Sequence, residues 1–362
     1  MNSVPVTPPV TEYLYQKATA TGTPLSGTFE LTPNCNMDCK MCYVRSCAPV
    51  EQLASVQQWL ALGEKARDGG MLYLLLTGGE PFMYPGFREV MEGLHKLGLL
   101  ITINSNGTLI DENTVKWLKN CPPVRINISI YGACDETYAR LCGNPRGFTQ
   151  MANAVELLRN AGISVKLNCS LTPQNAADLE KIVQFAEDRG LALQVATYMF
   201  PPLRKAEALA GQNDRFSPEE AAYYMAYADL LIYGREKFLG QTAPVIPEDG
   251  CPTPDGIRCR AGKCSFWVTW QGQITPCGMF PCGDSPNVFT TSFTEAWQQV
   301  REYTQAIRLP EKCGGCSVKD TCRACAAMVV TENGCFDKVP QYRCDMMYAY
   351  PAQFNRVREG IG

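Results

Sequence analysis

The sequence predicts an α/β fold. A parallel sheet of six strand–helix units, open or curled into a partial barrel, precedes a cysteine-rich region of little regular structure. Three observations carry this. From residue 25 to about 200, runs with a strand period alternate with runs of helical period. From 251 to 344 the periodicity fades while cysteines become dense. The chain has 362 residues, too many for one small core, so two domains are the default.

Taken in order, Gly27–Leu31 reads as a strand with a cysteine loop directly after it. Val56–Arg67 reads as a helix and Leu72–Leu76 as a buried apolar strand. Gly86–Leu97 is a helix, Leu99–Asn104 a strand and Glu112–Lys119 a helix. Val124–Ile130 alternates with a strand period, and Phe148–Asn160 returns to a helical one. Ser164–Leu171, Ala176–Arg189 and Leu191–Tyr198 continue as strand, helix and strand. Strands joined through helices form parallel sheets with crossovers, and ligands gather at the C-terminal ends of such strands. The unusual residues of this chain lie in the loops at those ends. After a polar, irregular stretch, Ser217-Pro218-Glu219-Glu220 opens a helix that runs to about Lys237, with Ser217 as N-cap and Glu220 in the capping-box position. Phe266–Trp270 and Gln273–Thr275 read as a hairpin around Gln271-Gly272, and Thr294–Ala306 as a helix. The expected divisions are an extension over 1–24, the strand–helix region over 25–215, a helical linker over 216–250, the cysteine-rich region over 251–345 and a tail over 346–362.

Composition excludes several classes. Apolar content is 46% and charged content 19%, ordinary for a globular protein. The net charge is −3 with no Lys/Arg-rich run, which argues against nucleic-acid binding. No apolar stretch reaches bilayer length, so no membrane role is expected. The first ten residues lack a basic-then-apolar signal pattern. Nineteen cysteines without a secretory signal point to metal rather than disulfides, and the single histidine, His95, makes any ligand set thiolate. Thiolate sites suit iron–sulfur clusters or structural zinc, in a reducing cytoplasm.

The run Cys35-Asn36-Met37-Asp38-Cys39-Lys40-Met41-Cys42 is the most informative feature. Three thiolates at this spacing can hold three irons of a cubane and leave the fourth iron open to a ligand. A zinc knuckle is the plainer alternative. One strand later comes Thr77-Gly78-Gly79-Glu80-Pro81, where adjacent glycines let backbone approach a ligand and Glu80 offers an acceptor to an ammonium.

Together these two motifs resemble the radical S-adenosylmethionine (SAM) superfamily. The resemblance implies that a 4Fe–4S cluster on Cys35, Cys39 and Cys42 binds the amine and carboxylate of SAM. Reductive cleavage then yields a 5′-deoxyadenosyl radical that abstracts hydrogen from a substrate. It also implies SAM contacts from Tyr43, Gly78, Gly79, Glu80 and Pro81, from Ser105-Asn106 at the third strand end, from Ser129 at the fourth, and from Arg140. One departure is Met41, where relatives carry an aromatic residue; Tyr43 stands in for it. An open cluster of this kind is oxygen-sensitive, which implies an anaerobic host.

The second cysteine region looks like the SPASM extension, which holds two auxiliary 4Fe–4S clusters. The resemblance assigns Cys259, Cys264, Cys277 and Cys325 to the first, and Cys313, Cys316, Cys322 and Cys344 to the second. Cys335 is an alternative to Cys344, and a structural zinc on Cys313, Cys316, Cys322 and Cys325 remains open. The fold implied is a partial (β/α)6 barrel of the radical SAM type followed by the SPASM region. Relatives oxidise peptides or small proteins, so a peptide is the expected substrate, with a thioether crosslink or dehydrogenation as product and a flavodoxin or ferredoxin as electron donor. Only 34 residues precede Cys35, so leader recognition is expected of a separate protein or another surface. Gly278 stands where sulfatase-maturing relatives carry an aspartate, which counts against that activity. The alternatives are a small-molecule or tetrapyrrole radical SAM dehydrogenase or decarboxylase and, from another class, a non-catalytic iron–sulfur electron carrier. No general acid or base is assigned.

Overall fold

The computed structural model describes residues 9–44, 49–203, 214–241 and 256–360. Cys47, Cys251 and most of the polar stretch after Pro202 lie outside them, as do parts of the expected extension and linker.

Eight strands make one sheet: β1 Ser26–Glu30, β2 Tyr73–Thr77, β3 Leu100–Ser105, β4 Arg125–Ser129, β5 Val165–Ser170, β6 Ala192–Ala196, β7 Ser265–Val268 and β8 Ile274–Thr275. The order is β6-β5-β4-β3-β2-β1-β7-β8. All neighbours are parallel except the β7–β8 hairpin. The sheet does not close on itself, so it is a partial barrel. The helices are α1 Pro9–Thr21, α2 Val56–Asp68, α3 Phe87–Lys96, α4 Glu112–Leu118, α5 Asp135–Cys142, α6 Gly147–Asn160 and α7 Leu179–Glu187. They continue as α8 Pro218–Tyr233, α9 Arg235–Leu239, α10 Phe293–Ala306, α11 Glu311–Gly314, α12 Lys319–Cys322, α13 Ala326–Asn333 and α14 Gln341–Glu359.

The strands alternate as their sequences do. Phe29, Leu74, Leu76, Ile101, Ile103, Ile126, Ile128 and Leu167 are buried against the helices. The intervening residues, among them Thr28, Thr102, Asn104, Asn127, Ser129, Asn168 and Gln194, face the other way and are polar. One face of the curled sheet is thus an apolar core and the other a polar inner wall. On that wall Arg125 Nε donates to Asn127 Oδ1 (2.9 Å) and Asn127 Nδ2 to Asn104 Oδ1 (2.7 Å).

Capping sets several helix starts. Ser55 and Ser217 each complete a capping box, with Gln58 and Glu220. The helix expected to reach Lys237 breaks at Gly234 (φ +82°), which divides it into α8 and α9.

Three expectations need correction. The region 251–345 is not poor in regular structure: β7 pairs with β1 in the main sheet, and α10 to α14 follow. The expected tail at 346–362 is mostly the second half of α14, which crosses the 345/346 division. It buries Met346, Met347, Tyr350, Phe354 and Val357, and Phe354 stacks on Phe238 of α9 with centroids 4.5 Å apart. Truncating such a buried ring costs about 3–5 kcal/mol. The expected extension contains α1, which abuts β7: Thr19 Oγ1 donates to Cys264 Sγ at 3.2 Å. A shared core joins the two halves of the chain, since Trp59 of α2 contacts both Phe29 and Phe289.

Candidate functional site

The loop after β1 carries Cys35, Cys39 and Cys42, and three neighbours hold it. The turn after β2 holds its start: Gly79 N–H donates to Thr32 C=O (2.6 Å) and Glu80 N–H to Asn34 C=O (2.8 Å). A Cβ on Gly78 would lie 2.5 Å from Thr32 O, and one on Gly79 2.4 Å from Asn34 O. These glycines therefore let the cysteine loop lie directly on the turn. The C-terminus of α5 holds the middle, with Asp38 N–H on Cys142 C=O (2.7 Å) and Lys40 N–H on Leu141 C=O (3.0 Å). Helix-end carbonyls lack intrahelical partners and are suited to this. The end of β3 holds the front, where Asn106 Nδ2 donates to Asn36 Oδ1 (2.9 Å) and lies 3.8 Å from Cys35 Sγ.

Glu80 does not offer an open acceptor. Its side chain is fully buried; Oε1 accepts Ser105 Oγ (2.8 Å) and Phe82 N–H (3.3 Å), and Oε2 accepts Asn106 N–H (2.8 Å). It clamps the ends of β2 and β3 together. Burial pushes its carboxyl up to about 7, against the pull of those three donors.

A cavity of about 390 Å³ is lined by Cys35, Cys39 and Cys42 together with Asn34, Gly79 and Met83, so the three thiols share one space. Loss of water around its sulfur, then Glu80, Cys39 and Cys42, push the Cys35 thiol up to about 12. Three thiolates here would repel one another unless a cationic group lay between them.

Ser129 ends β4 on the inner wall. Its side chain donates a bond to Tyr131, whose phenol lies within electrostatic reach of Cys39 and Cys42 and is raised well above its usual pKa, chiefly by burial. Tyr131 went unassigned in the sequence; its place two residues beyond Ser129 was the available signal. Of the expected SAM contacts only Gly79 lines the cavity; Tyr43, Gly78, Glu80, Pro81, Ser105, Asn106, Ser129 and Arg140 do not. Arg140 is exposed on α5, its guanidinium on Gln174 C=O at 2.6 Å. Met41 is buried in the core.

β7 brings the second cysteine region to the same sheet. Trp267 Nε1 donates to Glu30 Oε2 (2.9 Å) at the end of β1, and the Trp267 indole covers Gly278, where a Cβ would lie 2.8 Å from the ring. No side chain fits after Cys277. Cys277 and Cys325 pack on one small apolar cluster with Phe280 and Leu309, and the thiols of Cys259 and Cys325 act on each other. Cys264 is buried in a different cluster with Ala18 and Leu25. Cys344 is within electrostatic reach of Cys313, Cys316 and Cys322. Cys335 interacts instead with Asp337 and with Asn333 C=O (3.6 Å). Arg343 is buried and grips Cys322 C=O through Nη2 (2.6 Å) and Nε (3.1 Å). Lys319, between Cys316 and Cys322, buries its ammonium with no hydrogen-bond acceptor among the described residues. Among the described residues no group of three or more His, Cys, Asp and Glu is placed to hold a single metal ion.

Residues 29–186 match the family model described as the Radical SAM superfamily. That stretch of the chain is therefore a radical SAM domain. Among its relatives, the AdoMet-dependent heme synthase of Oleidesulfovibrio alaskensis is 28% identical over 327 residues, 84% of this chain and 83% of that protein. The antilisterial bacteriocin subtilosin biosynthesis protein AlbA of Bacillus subtilis is 26% identical over 305 residues, 83% of this chain and 65% of AlbA. In structure, Streptococcus suis SuiB bound to precursor peptide SuiA matches with a TM-score of 0.67 at 17% identity, over 89% of this chain and 77% of SuiB. That likeness concerns the fold alone.

Proteins of the superfamily bind SAM and a 4Fe–4S cluster. The residues here fit such a group: three thiols line one cavity beside the ends of β1 and β2. A cubane, whose irons each take one thiolate, also needs a wider ring of ligands than a single ion.

Proposed function

We propose that this protein oxidises a peptide or small protein. Cys35, Cys39 and Cys42 would hold the SAM-binding cluster, and two auxiliary clusters would accept the substrate electron. The observation that carries this reading is the β1–β7 pairing. It hangs the three-cysteine loop and the cysteines flanking the β7–β8 hairpin from neighbouring strands of one sheet. When bound, the cluster and SAM supply a 5′-deoxyadenosyl radical that abstracts hydrogen from the substrate. The protein's part is to position the substrate and exclude water.

The inner wall supports a peptide. Asn104, Asn127, Ser129, Asn168 and Gln194 are uncharged donors and acceptors suited to amide groups. Asn168 Oδ1 is buried there with no donor among the described residues, an acceptor that a substrate N–H would satisfy. AlbA, named for bacteriocin biosynthesis, supports the same class. Cys259, Cys264, Cys277 and Cys325 would hold the first auxiliary cluster, and Cys313, Cys316, Cys322 and Cys344 the second. In this reading the buried ammonium of Lys319 answers to the negative charge of that second cluster. Gly79, Pro81, Ser105, Asn106, Ser129 and Tyr131 would frame SAM. The division at 25–215 and 216–250 follows this assignment, with the cysteine-rich region running on to the end of α14. A flavodoxin or ferredoxin would supply electrons, a separate protein would recognise any leader, and the compartment would be the cytoplasm.

The heme synthase relative favours a second reading, oxidation of a tetrapyrrole side chain. One experiment separates them. The full chain is reconstituted anaerobically with iron and sulfide, given SAM and dithionite, and offered a short peptide encoded beside its gene or an iron coproporphyrin. Loss of two hydrogen masses from the peptide supports the first reading. Side-chain decarboxylation of the porphyrin supports the second. Absence of 5′-deoxyadenosine with either would refute both. The cluster reading is checked separately by iron content, expected at about twelve per chain.

A further inference from the structure

Resting on the three-cluster reading above, we propose that Lys319 and Tyr348 set the reduction potential of the second auxiliary cluster. They raise it, and so favour that cluster as an electron acceptor. Lys319 sits on α12 between Cys316 and Cys322, and its N–H donates to Cys316 C=O at 3.2 Å. Its side chain is 7% exposed, and Nζ is buried with no acceptor among the described residues. An ammonium so placed calls for an anion. Four thiolates around a cubane carry net negative charge, which grows by one on reduction.

Tyr348 of α14 places its hydroxyl 3.6 Å from Cys316 Sγ. An iron-bound sulfur carries no proton, so in the loaded protein the phenol is the donor. Tyr348 is 48% exposed, which gives this side of the thiolate set access to water. Ammonium, hydrogen bond and water access all favour the more negative, reduced state, and so raise the potential. Lys312 and Arg258 act in the same sense at Cys313, and Asp345 opposes them at Cys344. In the first set the matching contact is an alcohol, Thr19 Oγ1 on the fully buried Cys264 (3.2 Å), a weaker donor than a phenol, while Cys259 of that set is exposed.

The test is an EPR-monitored titration of the reconstituted full chain with dithionite. At each cluster one electron passes from dithionite, one ferric iron becomes ferrous, and no bond forms or breaks. Lys319→Met and Tyr348→Phe should each make reduction of one auxiliary cluster about tenfold less favourable. That is a fall of about 59 mV for a one-electron couple. The other two midpoints and the iron content should hold, and Lys319→Arg should restore the value. If Lys319→Met fails to assemble the cluster, Tyr348→Phe decides alone, because it removes one hydroxyl from an exposed ring. Midpoints unmoved by the substitutions at full iron content overturn the proposal and leave the cluster reading intact. A wild type with only about four irons overturns both.

Discussion

Gly79→Ala is the sharpest probe of how this site is built. The added methyl would lie 2.4 Å from Asn34 O, 2.5 Å from Pro33 O and 2.7 Å from Asn34 C, all backbone atoms. Ordinary contact begins near 3.4 Å, so the cysteine loop must retreat by about 1 Å. Such a shift stretches the 2.6 Å bond from Gly79 N–H to Thr32 C=O and the 2.8 Å bond from Glu80 N–H to Asn34 C=O beyond useful length. Two lost hydrogen bonds cost about 1 kcal/mol each. Overpacking adds about 1–3 kcal/mol. The total, about 3–5 kcal/mol, is a large share of the 5–15 kcal/mol typical of a folded protein. It falls on the segment that carries Cys35. The assay is urea unfolding of the iron-free chain together with iron content after reconstitution. Gly98→Ala serves as control: its φ is +80° but nothing lies within 4 Å, so only backbone strain of about 1–2 kcal/mol is expected. A Gly79→Ala protein with wild-type stability and full iron would falsify the account of the glycine pair given above.

Three further outcomes are expected. Burial pushes the Asp229 carboxyl up to about 6, opposed by its bond to Tyr350 of α14. The folded state therefore holds a proton that the unfolded state releases near pH 4, and the associated stability is lost as pH rises through about 6. Relative to wild type, Asp229→Asn should remove about 2 kcal/mol of that pH dependence in thermal melts between pH 4 and 7; parallel curves would rule it out. Gly278→Asp should push against the Trp267 indole, where a Cβ would lie 2.8 Å from the ring. A loss of about 1–3 kcal/mol in denaturant unfolding and a change in tryptophan emission are expected, and an unperturbed emission spectrum would count against this packing. Cys344→Ser should cost about four irons per chain while Cys335→Ser costs none; equal iron loss in the two would undo the assignment.

Much of the fold was legible because its strands obey a simple alternation. Leu74, Leu76, Ile101, Ile103, Ile126 and Ile128 are buried at every second position, and the expected strand bounds differ from the observed ones by one or two residues. α14 was not legible. Its apolar residues follow no clean stripe, Pro351 interrupts it, and its burial depends on α8 and α9 lying opposite. α5 was missed because it is short and begins at Cys134 without a side-chain cap.

The sequence by itself determined which residues are candidates for the chemistry. The cysteine spacing and the Gly-Gly-Glu-Pro turn are local patterns, and local patterns survive in one dimension. Tertiary structure alone decided what those residues do for one another. The glycines make room for the cysteine loop's own backbone, Glu80 is spent on Ser105 and Asn106, and Arg140 lies outside the cavity. Only the fold joins the cysteine-rich region to the sheet through β7 and buries Lys319 without an acceptor among the described residues. These relations link residues tens to hundreds of positions apart, and close packing and hydrogen-bond satisfaction, which no spacing encodes, set them.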